Sequence, residues 1–272
     1  MKVRFWCTKC AAEGIESSWV GEQPIGDTIL YKFTCPHGHV TEAFAGGFKF
    51  ETLFEIGLNA LRNGFYREAA STFATALERF YEYSILAFLI PKFSPTDSGT
   101  FDNEALTRFE KLWKTPLKFS ERQLGAFCAL YFNEFGEAPQ LLDEFSAKAL
   151  KPTPTIIKNP TNFRNRVVHE GYIPGYDETF EYGEIVSKYI GMLLMKYQEE
   201  DYNRYPEADR GINRAFYMAL LERVMIFIKR GEQPVDINLY LGISDSFLSA
   251  NTRFYANPIS MADYLSSLNS VK

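Results

Sequence analysis

The sequence predicts a mostly α-helical protein that carries a small β module at its N-terminal end. Before about residue 46, short β-branched and aromatic runs alternate with glycine-containing turns, as in antiparallel β structure. After that position, apolar residues recur at the spacing of amphipathic helices almost throughout. We therefore expect a β module over residues 1–46, a helical bundle over 47–200, and a C-terminal helical extension over 201–272 that packs on the bundle.

The composition is that of an ordinary globular protein. Of the 272 residues, 46% are hydrophobic and 23% are charged, and the formal net charge is −5. This acidity argues against a protein that coats nucleic acid over its whole surface, because phosphate binding needs local positive charge. The residues before Cys7 lack the apolar segment of a signal peptide, and no apolar run approaches the roughly 20 residues of a membrane span. We expect a cytoplasmic protein without membrane contact.

The elements follow in order along the chain. Predicted strands cover residues 18–20, 28–33 and 40–44. Predicted helices, bounded by glycines and prolines, cover about 50–61, 69 to Pro91, 103–114, 120–136, a short stretch after Pro139, 160–170, 177–199, 206–230 and 260–269. Ser120 and Gln123 have the spacing of a capping box, which predicts that they close the start of the 120–136 helix.

Three of the four cysteines and two of the three histidines lie in two clusters, Cys7-x-x-Cys10 and Cys35-Pro36-His37-Gly38-His39. Structural Zn²⁺ takes four sulfur or nitrogen ligands, and two such clusters can supply them where the core is small. The other interpretation makes the cysteines small buried apolar residues. Position 38 is not cysteine, so the fourth ligand is His37 or His39. The spacing resembles a zinc ribbon with a Cys-Pro-x-Gly-His knuckle, which implies Cys7, Cys10, Cys35 and His39 around a structural zinc.

A second candidate site lies between Phe163 and Gly171. Asn165 and His169 are one helical turn apart, whereas Arg164 lies about 140° around the helix from His169 and needs its long side chain to reach it. From Ser146 to His169 the chain has no Asp or Glu and carries five basic residues, Lys148, Lys151, Lys158, Arg164 and Arg166. Such a stretch can hold a phosphodiester, which makes Lys151, Lys158 and Arg166 candidate substrate-binding residues. The alternative is a polar helix face that ends at Gly171.

The Arg-Asn-x-x-x-His arrangement late in a helical bundle resembles the Arg-polar-x-x-x-His motif of HEPN domains, and residues 64–81 resemble the start of that fold. The resemblance covers about residues 48–200. It implies a metal-independent endoribonuclease that cleaves RNA through attack of the ribose 2′-OH, with Arg164, Asn165 and His169 as catalytic residues. Glu78, in the second predicted helix, is a weaker candidate for a supporting contact, and we prefer to interpret it as a solvated or paired acid.

The same resemblance has implications for partners. It implies a homodimer whose two motifs meet at the interface, RNA as substrate, and a role as a toxin or phage-defence effector with a neutralising or activating protein partner. The competing hypothesis is a non-catalytic zinc-ribbon and HEPN module that binds RNA, a nucleotide or a partner protein. The complete motif favours the enzyme, and the acidic net charge of −5 favours the binding module.

Overall fold

The structure, a computed structural model, describes residues 2–5, 7–15, 21–26, 30–44, 48–93, 103–149 and 156–204. The described residues are mostly helical, as predicted. The chain divides into two compact units, Met1–Gly47 and Phe48–Lys272. The predicted helices at 206–230 and 260–269 lie outside the described residues, as does the predicted extension beyond Arg204.

The first unit contains two antiparallel hairpins and one short helix. Its elements are β1 (Lys2–Phe5), α1 (Thr8–Ala12), β2 (Gly21–Pro24), β3 (Leu30–Thr34) and β4 (Val40–Phe44). β1 pairs with β2, with Lys2 opposite Pro24, and β3 pairs with β4, with Leu30 opposite Phe44. Each pair forms a separate two-stranded sheet.

The strand β3 presents alternate side chains to the buried cluster of the first unit. Tyr31 and Phe33 are buried while Lys32 and Thr34 are exposed, which is the two-residue alternation of a half-buried strand. Among the side chains whose burial the structure describes in this unit, the buried cluster comprises these two rings and three cysteines, with Ile15 packed against it. The three buried cysteines thus belong to the same cluster as the two rings of β3.

Two of the three predicted strands correspond to β3 and β4, whereas the first hairpin differs from the prediction. The strand expected at 18–20 lies outside the described residues. β2 begins at Gly21, which the sequence assigns to a turn, and β1 is too short for its apolar alternation to stand out. β1 and β2 are strands because they pair with each other, and not because their apolar residues alternate along the sequence.

The second unit is a bundle of seven described helices. They are α2 (Lys49–Arg62), α3 (Tyr66–Phe93), α4 (Asn103–Lys114), α5 (Ser120–Phe135), α6 (Leu142–Ala149), α7 (Pro160–His169) and α8 (Tyr176–Arg204). The predicted helical segments between residues 50 and 199 each correspond to one of them. α2 and α5 end where Gly64 and Gly136 adopt positive φ, a conformation that glycine reaches without steric cost.

The long helix α3 forms the centre of the bundle, because α2, α4, α5, α7 and α8 all pack against it. Aromatic side chains fill much of the core. Phe88, near the C-terminal end of α3, has its ring centroid 6.3 Å from that of Tyr131, 5.8 Å from Phe135 and 5.2 Å from Tyr197. Edge-to-face pairs of this kind add to the apolar area that the rings bury.

The start of α5 corrects the predicted capping box. Ser120 is the first residue of the helix, Phe119 occupies the N-cap position, and no side chain caps it. Gln123 is buried and its Nε2 donates to the carbonyl of Leu117 at 2.9 Å, while its Oε1 accepts from Arg79 Nη2 at 3.4 Å. Gln123 therefore connects α5 to α3 instead of closing its own helix.

A smaller correction concerns Pro91, which does not end its helix. α3 continues to Phe93, two residues beyond the proline. Pro91 lies in the last turn of α3. Its missing N–H therefore costs the helix only one hydrogen bond, two residues before the helix ends.

Candidate metal centre and candidate active site

The first unit brings together the four predicted metal ligands. The sulfurs of Cys7, Cys10 and Cys35 and a ring nitrogen of His39 all lie within 4.8 Å of one another. The three cysteines are buried and His39 is half-buried. His37, the alternative fourth ligand, is exposed and is not part of this group.

The distances within the group fit a tetrahedral metal ion. Cys10 Sγ lies 3.7 Å from Cys35 Sγ, and His39 Nδ1 lies 3.4 Å from Cys10 Sγ and 3.8 Å from Cys7 Sγ. Zinc bonds of about 2.3 Å to sulfur and 2.0–2.1 Å to nitrogen place two sulfurs about 3.8 Å apart and a sulfur and a nitrogen about 3.6 Å apart. These three separations lie within about 0.2 Å of the values that one tetrahedral ion would give.

Backbone and side-chain contacts orient these ligands. The N–H of His39 donates to Cys35 Sγ at 3.3 Å, and the N–H of Cys10 donates to Cys7 Sγ at 3.5 Å. On the far side of the His39 ring, Nε2 faces a carboxylate oxygen of Glu13 at 3.4 Å. A carboxylate behind a ligating imidazole fixes the ring and its tautomer, leaving Nδ1 free to bind metal. Sequence reasoning missed Glu13, which has no ligand spacing of its own.

The electrostatics of the group also favour a cation. Burial, followed by hydrogen bonds to the sulfurs of Cys7 and Cys35, raises the pKa of the Cys10 thiol to about 12. Burial of this thiol thus favours its protonated form, and a bound metal ion would supply the positive charge that its thiolate needs. The donor set of three sulfurs and one imidazole is typical of closed structural zinc sites.

The second unit brings together the three residues of the predicted motif. Arg164 Nη1 lies 2.9 Å from Asn165 Oδ1 and 3.0 Å from His169 Nε2. The Arg164 side chain thus spans the angular separation that helical geometry puts between it and His169. The His169 side chain is exposed, while Arg164 and Asn165 are half-buried.

Glu78, from the middle of α3, completes this cluster. Its Oε1 accepts a hydrogen bond and ion pair from Arg164 Nη2, and the two side chains are 25% and 22% exposed. Glu78 is thus a paired acid, and because its partner is the motif arginine, it also makes the supporting contact that we considered the weaker alternative. The two residues are 86 positions apart, and the sequence carries no signal for this contact, which comes only from the packing of α3 against α7.

The helix α7 is held at both ends. At its start, Asn159 Oδ1 accepts from the N–H of Asn162 at 2.6 Å, and Asp143 Oδ1 of α6 accepts from the N–H of Thr161 at 2.9 Å. At its end, Gly171 adopts a φ of +73°, and the N–H of Tyr172 bonds back to a carbonyl of the last turn. These contacts fix the helix that carries the motif.

The predicted substrate-binding residues have different surroundings. Lys158 is exposed just before α7. The guanidinium of Arg166 lies 3.8 Å from the ring centroid of Tyr172, a cation–π contact that holds it against the bundle. Lys151 lies outside the described residues.

Comparison with protein-family models, with curated proteins and with solved structures finds no match to this chain. Inference about its function therefore rests on its own residues and contacts. Within the part of the chain that the structure describes, no helix combines the length and the apolar character needed to cross a membrane.

Proposed function

We propose that the helical unit is a metal-independent endoribonuclease of the HEPN type. The observation that carries this proposal is the meeting of Arg164 Nη1 and His169 Nε2 at 3.0 Å, at an exposed imidazole with Asn165 beside it. An imidazole to move a proton and a guanidinium to stabilise negative charge are the groups that metal-free phosphodiester cleavage needs. Both come from one helix whose ends are fixed.

The proposed reaction is transfer of the phosphodiester to the neighbouring ribose hydroxyl. The 2′-oxygen forms a bond to phosphorus, and the bond from phosphorus to the 5′-oxygen breaks. The 2′-OH loses its proton, and the departing 5′-oxygen gains one. His169 moves a proton at one of these oxygens, Arg164 stabilises the charge on the phosphorane, and Asn165 orients the arginine. The products are a 2′,3′-cyclic phosphate and a 5′-OH, and DNA is not a substrate because it lacks the 2′-OH.

The test is cleavage of single-stranded RNA by the purified full chain in EDTA, with zinc content measured before and after. We expect cleavage without Mg²⁺ and products with cyclic phosphate ends. His169→Ala and Arg164→Ala each remove a group that acts in the transition state, so we expect rates roughly 10²- to 10⁴-fold lower.

The matched control is Arg108→Ala, which removes an exposed arginine that pairs with Glu104 within α4. It should cleave as the wild type does, because α4 carries none of the proposed catalytic groups. An absolute requirement for Mg²⁺, cleavage of DNA, or full activity in His169→Ala would each contradict the proposed reaction.

For the first unit, the function that we propose is a structural zinc ribbon, with Zn²⁺ held by Cys7, Cys10, Cys35 and His39. The support is the fit of the sulfur and nitrogen separations to a tetrahedral ion and the Glu13 carboxylate behind the ligating ring. All four ligands come from the protein, so no position is left for a reacting water. Metal analysis should find one zinc per chain, and less than about half an equivalent in folded protein would contradict this.

One observation favours the second candidate function, a non-catalytic module that binds RNA, a nucleotide or a partner protein. The Glu78 carboxylate pairs with Arg164 and so competes with any phosphate for that guanidinium. The two candidates differ in the effect of His169→Ala. Loss of cleavage with RNA binding retained supports the enzyme, whereas binding without cleavage by the wild-type protein supports the module.

A further inference from the structure

The guanidinium of Arg164 contacts three acceptors, and its contact with His169 limits which ring nitrogen of His169 can carry a proton. Nη2 of Arg164 is bound by Glu78, and Nη1 faces both Asn165 Oδ1 at 2.9 Å and His169 Nε2 at 3.0 Å. A guanidinium donates hydrogen bonds and never accepts them. The contact with His169 is therefore a hydrogen bond only when Nε2 carries no proton, which places the single proton of the neutral ring on Nδ1.

From this arrangement we infer that Glu78 is a positioning residue that, through Arg164, holds neutral His169 as the Nδ1–H tautomer. With Nη2 fixed on Glu78, the guanidinium cannot rotate away, and Nη1 stays directed at the imidazole. Asn165 Oδ1 also accepts a hydrogen bond from Nη1, which further restricts the orientation of the guanidinium. Without Glu78, the arginine side chain regains rotamers that leave His169, and the ring is free to carry its proton on Nε2, as a solvated neutral histidine mostly does.

This role of Glu78 rests on the proposed function, because it concerns the part that His169 takes in the proposed reaction. The lone pair of Nε2, which would take the proton of the 2′-OH, is occupied by Arg164 in the free protein. A phosphodiester oxygen that accepts from Nη1 in place of His169 releases that lone pair as it binds. His169 then acts as the base at the 2′-OH, and Glu78 keeps Nη2 in position while Nη1 changes partner.

The tautomer can be measured directly, because the chain has only three histidines. Long-range ¹H–¹⁵N correlation spectra of the labelled full chain at pH 8, where a free imidazole is neutral, report which ring nitrogen carries the proton. His37→Asn identifies the signals of His37, and His169→Asn identifies those of His169. We expect wild-type His169 to be protonated on Nδ1.

In Glu78→Gln, we expect the major form of His169 to change to Nε2–H. Glu78→Asp keeps the charge but withdraws the carboxylate by one methylene, so it should change the spectrum in the same direction. The matched control is Glu82→Gln, which alters a carboxylate on the same helix with 26% exposure whose partner is Arg79. It should leave the His169 signals unchanged, and circular dichroism shows that each variant is folded.

A His169 ring already protonated on Nε2 in the wild-type protein would overturn the inference. A His169 spectrum that stays unchanged in folded Glu78→Gln or Glu78→Asp would overturn it as well. Neither result depends on catalysis. Absence of RNA cleavage by the wild-type protein would contradict the proposed nuclease and leave the tautomer result intact, so the two failures are distinguishable.

Discussion

His37 and His39 lie two residues apart in one turn, yet only the ring of His39 joins the three sulfurs. The turn explains the difference. Gly38 has a φ of +84° and its N–H donates to the carbonyl of Cys35 at 2.8 Å, while the N–H of Cys35 donates to the carbonyl of His39 at 2.9 Å. The chain thus folds back at Gly38, which returns His39 to the side of Cys35 and leaves His37 exposed.

This geometry predicts opposite results for the two histidines. His39→Ala removes a ligand and should lower the zinc content of the purified protein well below one equivalent. His37→Ala removes an exposed ring and should leave one equivalent bound. Metal analysis of both variants beside the wild type is the measurement. Zinc lost from His37→Ala and retained in His39→Ala would move the fourth ligand to His37.

At the scale of one helix pair, Gly57 of α2 faces the ring of Phe73 of α3. A Cβ atom on Gly57 would lie 2.6 Å from Cε1 and 2.7 Å from Cδ1 of the Phe73 ring, and that ring is fully buried against Phe54. The ring has no space into which it can move. Glycine at this position therefore sets the separation of the two helices.

We expect Gly57→Ala to lower the free energy of unfolding by about 1–3 kcal/mol, because overpacking a filled core forces side chains or backbone to shift. The matched change is Gly125→Ala in α5, an exposed glycine with nothing within 4 Å of a new Cβ. There the higher helix propensity of alanine should raise the free energy by about 0.5–1 kcal/mol. Denaturant unfolding followed by circular dichroism measures both. A stabilised Gly57→Ala variant would contradict the tight approach.

At the scale of the whole molecule, the two units have cores of different kinds. Among the side chains that the structure describes, the buried cluster of the first unit consists of two aromatic rings and three cysteines that are proposed ligands. The second unit has a large apolar and aromatic cluster of its own. The folding of the first unit should therefore depend on metal, and that of the second should not.

Removal of zinc should accordingly unfold one unit alone. With a strong chelator, we expect limited proteolysis to cut within residues 1–47 and the helical circular dichroism signal to change little, because metal binding supplies the folding free energy of small zinc units. Mass spectrometry of the fragments locates the cuts, and re-addition of zinc should restore protection. Cuts that do not depend on chelator would count against a metal-stabilised unit.

Assembly is a second property of the whole molecule. The HEPN resemblance predicts a homodimer, and the described surface includes large exposed apolar side chains, among them Phe132 at 59% and Met195 at 59%. Light scattering at micromolar concentration should give twice the chain mass of 31.2 kDa. The mass of one chain under these conditions would contradict the dimer.

The sequence by itself determined the features that depend on neighbours along the chain. Helix ends followed from glycines such as Gly64, Gly136 and Gly171, all at positive φ, because a left-handed residue ends a helix whatever packs around it. The three cysteines of the candidate metal site followed from ligand chemistry and the spacing of two short clusters, and the choice of His39 over His37 followed from the resemblance to a zinc ribbon. The grouping of Cys7, Cys10, Cys35 and His39 is accordingly confirmed.

Only the tertiary structure decided which charges meet. The segment from Ser146 to His169 has no acid of its own, yet Asp143 of α6 binds the N–H of Thr161 at the start of α7. Glu181 of α8 binds the N–H of Ile156, before α7, and Glu78 of α3 binds Arg164. A basic stretch in the sequence is thus partly neutralised in the fold.

Tertiary packing also decided the partners of Gln123. Its amide bonds to Leu117 and Arg79 rather than to the start of its own helix. Local spacing fixes backbone ends and ligand clusters because the interacting groups are held within a few residues of one another. The partner of a long polar side chain depends on which helix packs beside it. Glu78 and Arg164 are 86 positions apart, so only the tertiary structure brings them together.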